Sequence, residues 1–527
     1  MNRARIGIYC GMAVVAGLLV GGINLFWGEL NQDEGWYLYA AARTAEGARP
    51  YADYAFTQGP VFTAVYAQVF RVWPEAGLQA GRVFTALLGW VSLALAVALA
   101  WRLTPSPWRS AVAVGVVALL GCNVYHNYFT LIVKTYALTA VLLTGGAYAL
   151  TFLKPGRSRG PALIAGGLLA LAAGVRLSAG VWLPWVALML ALGPDRRARS
   201  GYWFTGGALL GLAWAFGPSL WRAPAETWFW LGPFHAARDA GSLTAAGLFK
   251  AGFGARWLQA YYPLALLGII WVGGASTGGP RWWKVPRPAG ILWGGIALMT
   301  LVHLAAPFPY DDYQVPLMPV FAALLLSGVG HWLAGLVSET RQSAWAHTVA
   351  VAWLVIGLTG AVASPRTQDW FIRGRDRIWW PTKAQSDLGL LQATAQYLAR
   401  YTEPGDTLLT QDTYLAVEAG LRVPPGLNLG PFSYFPDWST ADAQRRHVVN
   451  RPLLEALLEA GTAEWAAVSG YGLAIAGPGV TPVPDAEREQ LLALIEENYV
   501  LHQRIPYFGQ AHTTLKLYRR KDRAHEE

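Results

Sequence analysis

The feature that most constrains this chain is a run of long apolar segments separated by short, charged connectors. Apolar stretches fall at roughly 6–28, 81–101, 110–125, 129–152, 161–175, 179–193, 202–221, 257–275, 289–306, 316–337 and 345–363. Most approach the length that a helix needs to cross the ~30 Å hydrocarbon core of a bilayer. The stretch 161–193 is long for one span, and Arg176 and Ser178 break it, so a tight hairpin is expected there. Composition supports this reading. Of 527 residues 54% are hydrophobic and 14% charged, against roughly 25% charged in an average soluble domain. A soluble enzyme, a disordered tail and a fibrous protein are all poor fits. The pattern predicts a polytopic α-helical membrane protein of about eleven spans.

Charge placement orients the spans. With the N-terminus inside, the inner connectors hold Arg3, Arg5, Arg102, Arg109, Lys154, Arg157, Arg159, Arg196, Arg197, Arg199, Arg281, Lys284, Arg287 and Arg341. Only Asp195 and Glu339 oppose them. Basic residues gather on the cytoplasmic side of membrane proteins, so the net charge of +9 needs no nucleic-acid partner. The first apolar stretch is expected to remain as an uncleaved span. Cys10 and Cys122 would then lie on opposite sides of the bilayer, unable to pair. The expected location is the cell membrane, multi-pass, with a cytoplasmic N-terminus.

From about Ser364 charged residues and turn signals become frequent. Periodicity predicts helices over 387–401, 451–460 and 486–498, with Asn450 as a cap and Gly461 as a stop. Leu408-Leu409, Trp465–Val468 and Thr514–Tyr518 read as strands. The expectation is a membrane domain at 1–364 and an extracytoplasmic α/β domain at 365–527.

The segment 29–80, expected outside, is too long for a simple connector, and long ordered loops tend to be functional. It carries six acids against three basic residues. Asn31 can cap a helix whose first turn holds Asp33 and Glu34. A second helix opens at Gly59-Pro60, and Phe62, Val65, Tyr66, Val69, Phe70 and Trp73 form one apolar face. Such a helix is expected to lie in the membrane interface.

These motifs carry a resemblance. A first span, Asp33-Glu34 at the start of a loop helix, then Pro50-Tyr51-x-Asp53 and Gln58-Gly59-Pro60 before a second helix resembles the C-type glycosyltransferases. Within them the chain looks most like the protein O-mannosyltransferase and lipid A aminoarabinose transferase group. The layout covers residues 1 to about 365, and the motif-level likeness covers 29–73. One position departs, since Gln58 stands where the aminoarabinose transferases have Lys. The resemblance implies the C-type fold and an inverting transfer of a sugar from a polyprenyl-phosphate donor. The acceptor would be a lipid, glycan or protein on the outer face, with membrane lipids as the other partners. It implies no cofactor.

That chemistry needs a carboxylate base for the acceptor hydroxyl and a cation for the phosphate leaving group. Asp33 is the first choice for the base, with Glu34 and Asp53 behind it. The plainer alternative is that Asp33 and Glu34 only complement a helix N-terminus, worth about 0.3–1 kcal/mol. Lys134 and Arg176 sit at the outer ends of apolar runs, where ionisable groups mark functional sites or snorkel to the interface. Ala173-Gly174-Val175-Arg176 resembles a family position where a basic residue follows a span end. Gln58, His126, His303 and Tyr313 complete the candidate donor contacts, Tyr313 within a Tyr-x-x-Pro segment, Tyr313–Pro316. Asp311-Asp312 could hold a divalent cation, although adjacent loop acids are usually just solvated; no metal site is expected. No P-loop, dinucleotide fingerprint or metalloprotease motif occurs. Two rival readings are a transporter or flippase, which would show paired broken helices and midplane charges, and a silent scaffold of the same fold.

Overall fold

The computed structural model describes residues 3–154, 158–192, 198–237, 242–277, 287–307, 309–363, 385–475 and 482–523. Through residue 363 the described chain is helical but for turns and loops. The first elements are α1 (Arg3–Trp27), α2 (Gln32–Ala45), α3 (Val61–Val72) and α4 (Leu78–Leu103). Among the described residues five helices are long and apolar enough to cross a membrane: Gly7–Trp27, Leu78–Leu103, Pro288–Ala305, Asp311–Leu336 and Glu339–Ala363. They turn large side chains outward, as Ile8, Leu19 and Leu87 do, each about 60% exposed, which suits a lipid solvent. The sequence pattern gives eleven spans, and the difference lies largely in shorter apolar helices. Ser106–Gly121, Thr135–Leu150, Arg159–Val175 and Leu177–Ala191 each have at most 17 residues, about 25 Å of helix. Ala198–Arg222 is one helix with Pro218 inside.

One expectation is corrected here. The Cys122 thiol donates to the Ala13 carbonyl at 3.5 Å, one helical turn from Cys10, so the two cysteines do not sit at opposite ends of the bundle. Both are free thiols. Part of the apolar face of α3 is covered by the protein itself, while Trp73 at its end stays exposed. Phe62, Tyr66 and Phe70 are buried against Tyr37 and Phe84, with ring centroids 4.8 and 5.1 Å apart for Phe62–Tyr37 and Tyr66–Phe84. An amphipathic pattern reports only that one face leaves water, not what covers it.

The C-terminal residues form a four-stranded sheet of β1 (Leu408–Thr410), β2 (Trp465–Val468), β3 (Tyr499–Phe508) and β4 (Thr513–Arg520). The order is β1-β2-β4-β3, with β1 and β2 parallel and the other pairs antiparallel. Asn450 caps the helix Arg451–Ala460 by accepting from the Leu453 amide, and Gly461 ends it in the left-handed conformation. The boundary expected at 364/365 lies outside the described residues. The sheet and its helices do not stand apart. One buried core joins α2 and α3 to Leu408, Leu415, Trp465 and Leu517, and a second fills the helical bundle. Polar bonds stitch the same seam: the Asn428 amide donates to the Ala55 carbonyl at 2.6 Å, and the Val423 amide to the Tyr39 hydroxyl at 3.0 Å.

Candidate active site

The first turn of α2 sets the site. Asn31 accepts from the Asp33 amide at 3.1 Å, while Glu34 reaches back to the Asn31 amide at 3.0 Å. This reciprocal cap fixes the chain direction at the helix start. It also splits the acidic pair. Asp33 points outward to a cavity of about 660 Å³; Glu34 points inward and is fully buried.

Glu34 binds Arg82 of α4 through two bonds, Nε to Oε1 at 2.8 Å and Nη2 to Oε2 at 2.7 Å. Neither side chain is exposed to solvent. Arg82 also donates to the Gly28 and Glu29 carbonyls at 3.2 and 2.9 Å. Glu34 further accepts the Val133 amide at 3.1 Å. The Glu34–Arg82 pair therefore ties the residues after α1, the start of α2, α4 and the residue before Lys134. A buried ion pair tolerates its burial only when every remaining group is bonded in this way.

Lys134 is the next charge outward. Its ammonium lies 3.0 Å from Asp33 and 3.2 Å from Asp312. The Trp36 indole donates to Asp33 at 3.2 Å and holds the carboxylate in place. Asp311 turns the other way, to Arg256 at 3.2 Å and the Tyr125 hydroxyl at 2.7 Å. The two adjacent acids are thus each held by a cation of the chain. Among the described residues no group of three His, Cys, Asp or Glu could hold a metal ion.

Arg176 differs from Lys134. It has no carboxylate within salt-bridge distance among the described residues, and its Nε is buried without a hydrogen-bond partner. Its guanidinium lies over the rings of Tyr313 and Tyr136 at 4.5 and 5.1 Å and donates to Thr135 at 3.3 Å. It stands where the helix Arg159–Val175 gives way to extended backbone. The neighbouring wall is set by two glycines. A Cβ on Gly59 would fall 2.0 Å from the Gly174 carbonyl oxygen. Only glycine allows the loop before α3 to press on this helix end, and that approach puts Gln58 and Arg176 into one cavity.

Of the nine candidates, Asp33, Gln58, Lys134, Arg176, His303 and Tyr313 line the cavity. The His303 ring bonds Ser178 at 3.0 Å and packs on Tyr313. Three candidates do not reach it. Glu34 is locked beneath. Asp53 is exposed and closes a local turn by accepting the Arg49 amide at 2.8 Å. His126 is buried behind, bonded to the Tyr261 hydroxyl at 3.1 Å. Three residues missed by sequence reasoning matter here. Arg82 could have been suspected as a charge within an apolar run. His235, bonded to the Thr57 carbonyl at 2.7 Å, and Gln510 come from distant segments and left no local signal. The lining also has an apolar part, with Leu177, Phe234, Val302 and Ala306. The Tyr37 phenol, pushed up in pKa by its burial and then by Asp33, stays a neutral part of that lining.

No protein-family model matches this sequence, and no curated protein does. Solved structures do. ArnT from Cupriavidus metallidurans bound to undecaprenyl phosphate superposes with a TM-score of 0.59 at 14% identity, over 98% of both chains. The chain has the fold of the C-type glycosyltransferases. The apo state of the same ArnT gives 0.58 at 16% identity over 96% of this chain and 97% of that one. The Archaeoglobus fulgidus oligosaccharyltransferase in its apo form gives 0.54 at 12% identity, over 94% of this chain and 73% of the other. The matched region thus includes the sheet as well as the helical bundle.

Proposed function

We propose that this protein is an inverting membrane glycosyltransferase that moves a sugar from a polyprenyl-phosphate donor to an acceptor hydroxyl. The observation that carries the reading is the shared cavity. It holds a partly exposed carboxylate, Asp33, and a guanidinium, Arg176, without a carboxylate partner among the described residues, with Lys134 between two acids and apolar residues in the same lining. A volume near 660 Å³ suits a glycosyl phosphate with the start of its lipid tail. The likeness in fold to an ArnT bound to undecaprenyl phosphate supports the donor class.

In this reading Arg176 and Lys134 hold the donor phosphate, and Tyr313, His303 and Gln58 line the sugar. Asp33 takes the proton of the acceptor hydroxyl as its oxygen attacks the anomeric carbon. The new carbon–oxygen bond forms as the bond to phosphate breaks, and that electron pair leaves on the phosphate beside the two cations. Glu34 positions Asp33 and Lys134 instead of reacting. The loop 29–80 and the sheet lie on the outer face of an eleven-span protein whose N-terminus is cytoplasmic. The acceptor is a lipid, glycan or protein on that face.

The test is transfer by the detergent-purified protein from a membrane lipid extract carrying labelled polyprenyl-phosphate sugars. Release of the lipid phosphate with label appearing on acceptor is expected. Label that crosses a proteoliposome bilayer still attached to its lipid would make the protein a flippase.

A further inference from the structure

The start of α2 is held from the far end of the chain. A helix leaves its first four amides without partners in the helix itself. In α2 the Asp33 amide is taken by Asn31, and the Asn31 amide by Glu34. The Gln32 amide, one residue before Asp33, donates to Oε1 of Gln510 at 2.8 Å. Gln510 lies in the turn between β3 and β4 and lines the cavity. The Gln32 side chain is fixed as well, since the Tyr471 hydroxyl donates to its Oε1 at 3.2 Å.

The turn that presents Gln510 is costly to build. Tyr507 and His512 adopt left-handed backbone, with φ of 57° and 50°, which bulky residues rarely do. Gly509 lies between them at φ 72°. A Cβ there would fall 2.4 Å from the Tyr414 hydroxyl, which itself donates to Asp412 at 2.8 Å. Thr513 accepts the Gly470 amide at 2.9 Å and braces the other flank. Strained backbone held by its surroundings concentrates at functional sites, and this turn ends in a side chain directed at the helix that carries Asp33.

We infer that Gln510 is a positioning residue of the active site: the β3–β4 turn completes it by clamping the first turn of α2, which aims Asp33 into the cavity. This rests on the proposed glycosyl transfer for its kinetic consequence, but the clamp itself can be read without activity. The sheet is then part of the catalytic centre and not an appended module.

The experiment compares Gln510→Ala with Gln510→Glu, which keeps an oxygen at the accepting position. Hydrogen–deuterium exchange of the peptide covering residues 29–36 should rise in Gln510→Ala and stay near parental in Gln510→Glu, with spans such as Leu78–Leu103 unchanged in both. Transfer from the labelled lipid extract should fall roughly tenfold to a hundredfold in Gln510→Ala, the scale of a small misplacement of a reacting group. KM for the lipid donor should hold, and Gln510→Glu should restore turnover. Exchange that does not change in Gln510→Ala overturns the clamp. Raised exchange with parental turnover overturns the positioning role. If the parent transfers no sugar at all, the functional reading fails, while the exchange result still decides whether the clamp exists.

Discussion

Asp33→Asn and Glu34→Gln are neighbouring isosteric changes that should give opposite phenotypes. Asp33 is 25% exposed, and its partner Lys134 keeps Asp312 at 3.2 Å when the Asp33 charge is removed. The substituted amide would still accept the Trp36 indole through its oxygen. Lys134 is nearly buried but keeps one carboxylate partner, so the loss should stay well below the cost of leaving a buried charge unpaired. Turnover should fall by about 10²–10⁴, the usual value of general-base catalysis. Glu34 and Arg82 are both wholly buried. Removing the carboxylate charge leaves a buried guanidinium uncompensated, which costs about 3–5 kcal/mol. The new amide NH₂ also faces the Arg82 donors. Thermal unfolding in detergent and transfer rate are measured side by side. Glu34→Gln should unfold many degrees earlier; Asp33→Asn should melt much closer to the parent and be nearly inactive. A stable Glu34→Gln together with an active Asp33→Asn would refute both assignments.

Arg176→Ala should weaken binding of undecaprenyl phosphate by roughly 10–100-fold, the scale of one or two charged hydrogen bonds, while Arg176→Lys keeps part of it because the charge stays and the planar fork is lost; equal affinity in the three proteins would move the phosphate elsewhere. Impermeant thiol reagents on intact cells should label cysteines placed at Asp53 and Glu403 but not at Ser338, all exposed positions; labelling of Ser338→Cys would invert the topology. Burial raises the Asp412 carboxyl to about 6, only partly opposed by its Tyr414 and Ser469 hydrogen bonds. The folded state then binds the proton more tightly than the unfolded one, so stability falls as pH rises from about 4 to 6 and levels above, by about 3 kcal/mol at most. Asp412→Asn should flatten that part of the profile measured by thermal unfolding, and an unchanged slope would assign it to another group.

What could be read from the sequence was local. The Asn31–Glu34 cap spans three residues, and the Arg451–Ala460 helix carries its own start and stop. Short β-rich runs sufficed for β1, β2 and β4. β3 was not visible because its pattern does not alternate: it is an edge strand with register shifts at Leu501/Gln503 and Ile505/Phe508, exposed along most of its length. The site was half legible. Asp33 could be found from its motif, and Lys134 and Arg176 from the cost of a charge near lipid. Their geometry could not, since Arg82 meets Glu34 across 48 residues and Gln510 meets Gln32 across 478. No spacing rule reaches that far. The partners of α3 were hidden for a related reason: Tyr37 and Phe84, which cover part of its apolar face, lie outside it in sequence.

The two cations divide the electrostatic work of the proposed reaction. Asp33 and Asp312 both lie within 3.2 Å of Lys134, and two carboxylates so placed repel each other. The Lys134 ammonium between them offsets that repulsion, so both can stand in one cavity and Asp33 is in place as a base before any substrate arrives. Both cations lie over the Tyr136 ring, but Lys134 also has two acids within reach, where Arg176 has the Tyr313 face. Such aromatic partners stabilise a guanidinium by about 0.5–2 kcal/mol without neutralising it, which leaves its charge for an anionic ligand. A phosphate reaching Arg176 also brings negative charge toward Lys134 and competes with Asp33 for its ammonium. In the proposed reaction, loosening that ion pair would free the Asp33 carboxylate for the acceptor proton once the donor is bound. Charge is therefore held in store by Lys134 and offered by Arg176, and exchanging the two residues, Lys134→Arg with Arg176→Lys, should preserve net charge yet impair transfer, which the labelled-lipid assay would measure. An ammonium in place of the Arg176 guanidinium would lose the planar stacking on Tyr313, and a guanidinium fork in place of the Lys134 ammonium would hold Asp33 and Asp312 too firmly to release the base. Parental transfer by the exchanged protein would refute this division, because it would show that two positive charges suffice whatever their shape.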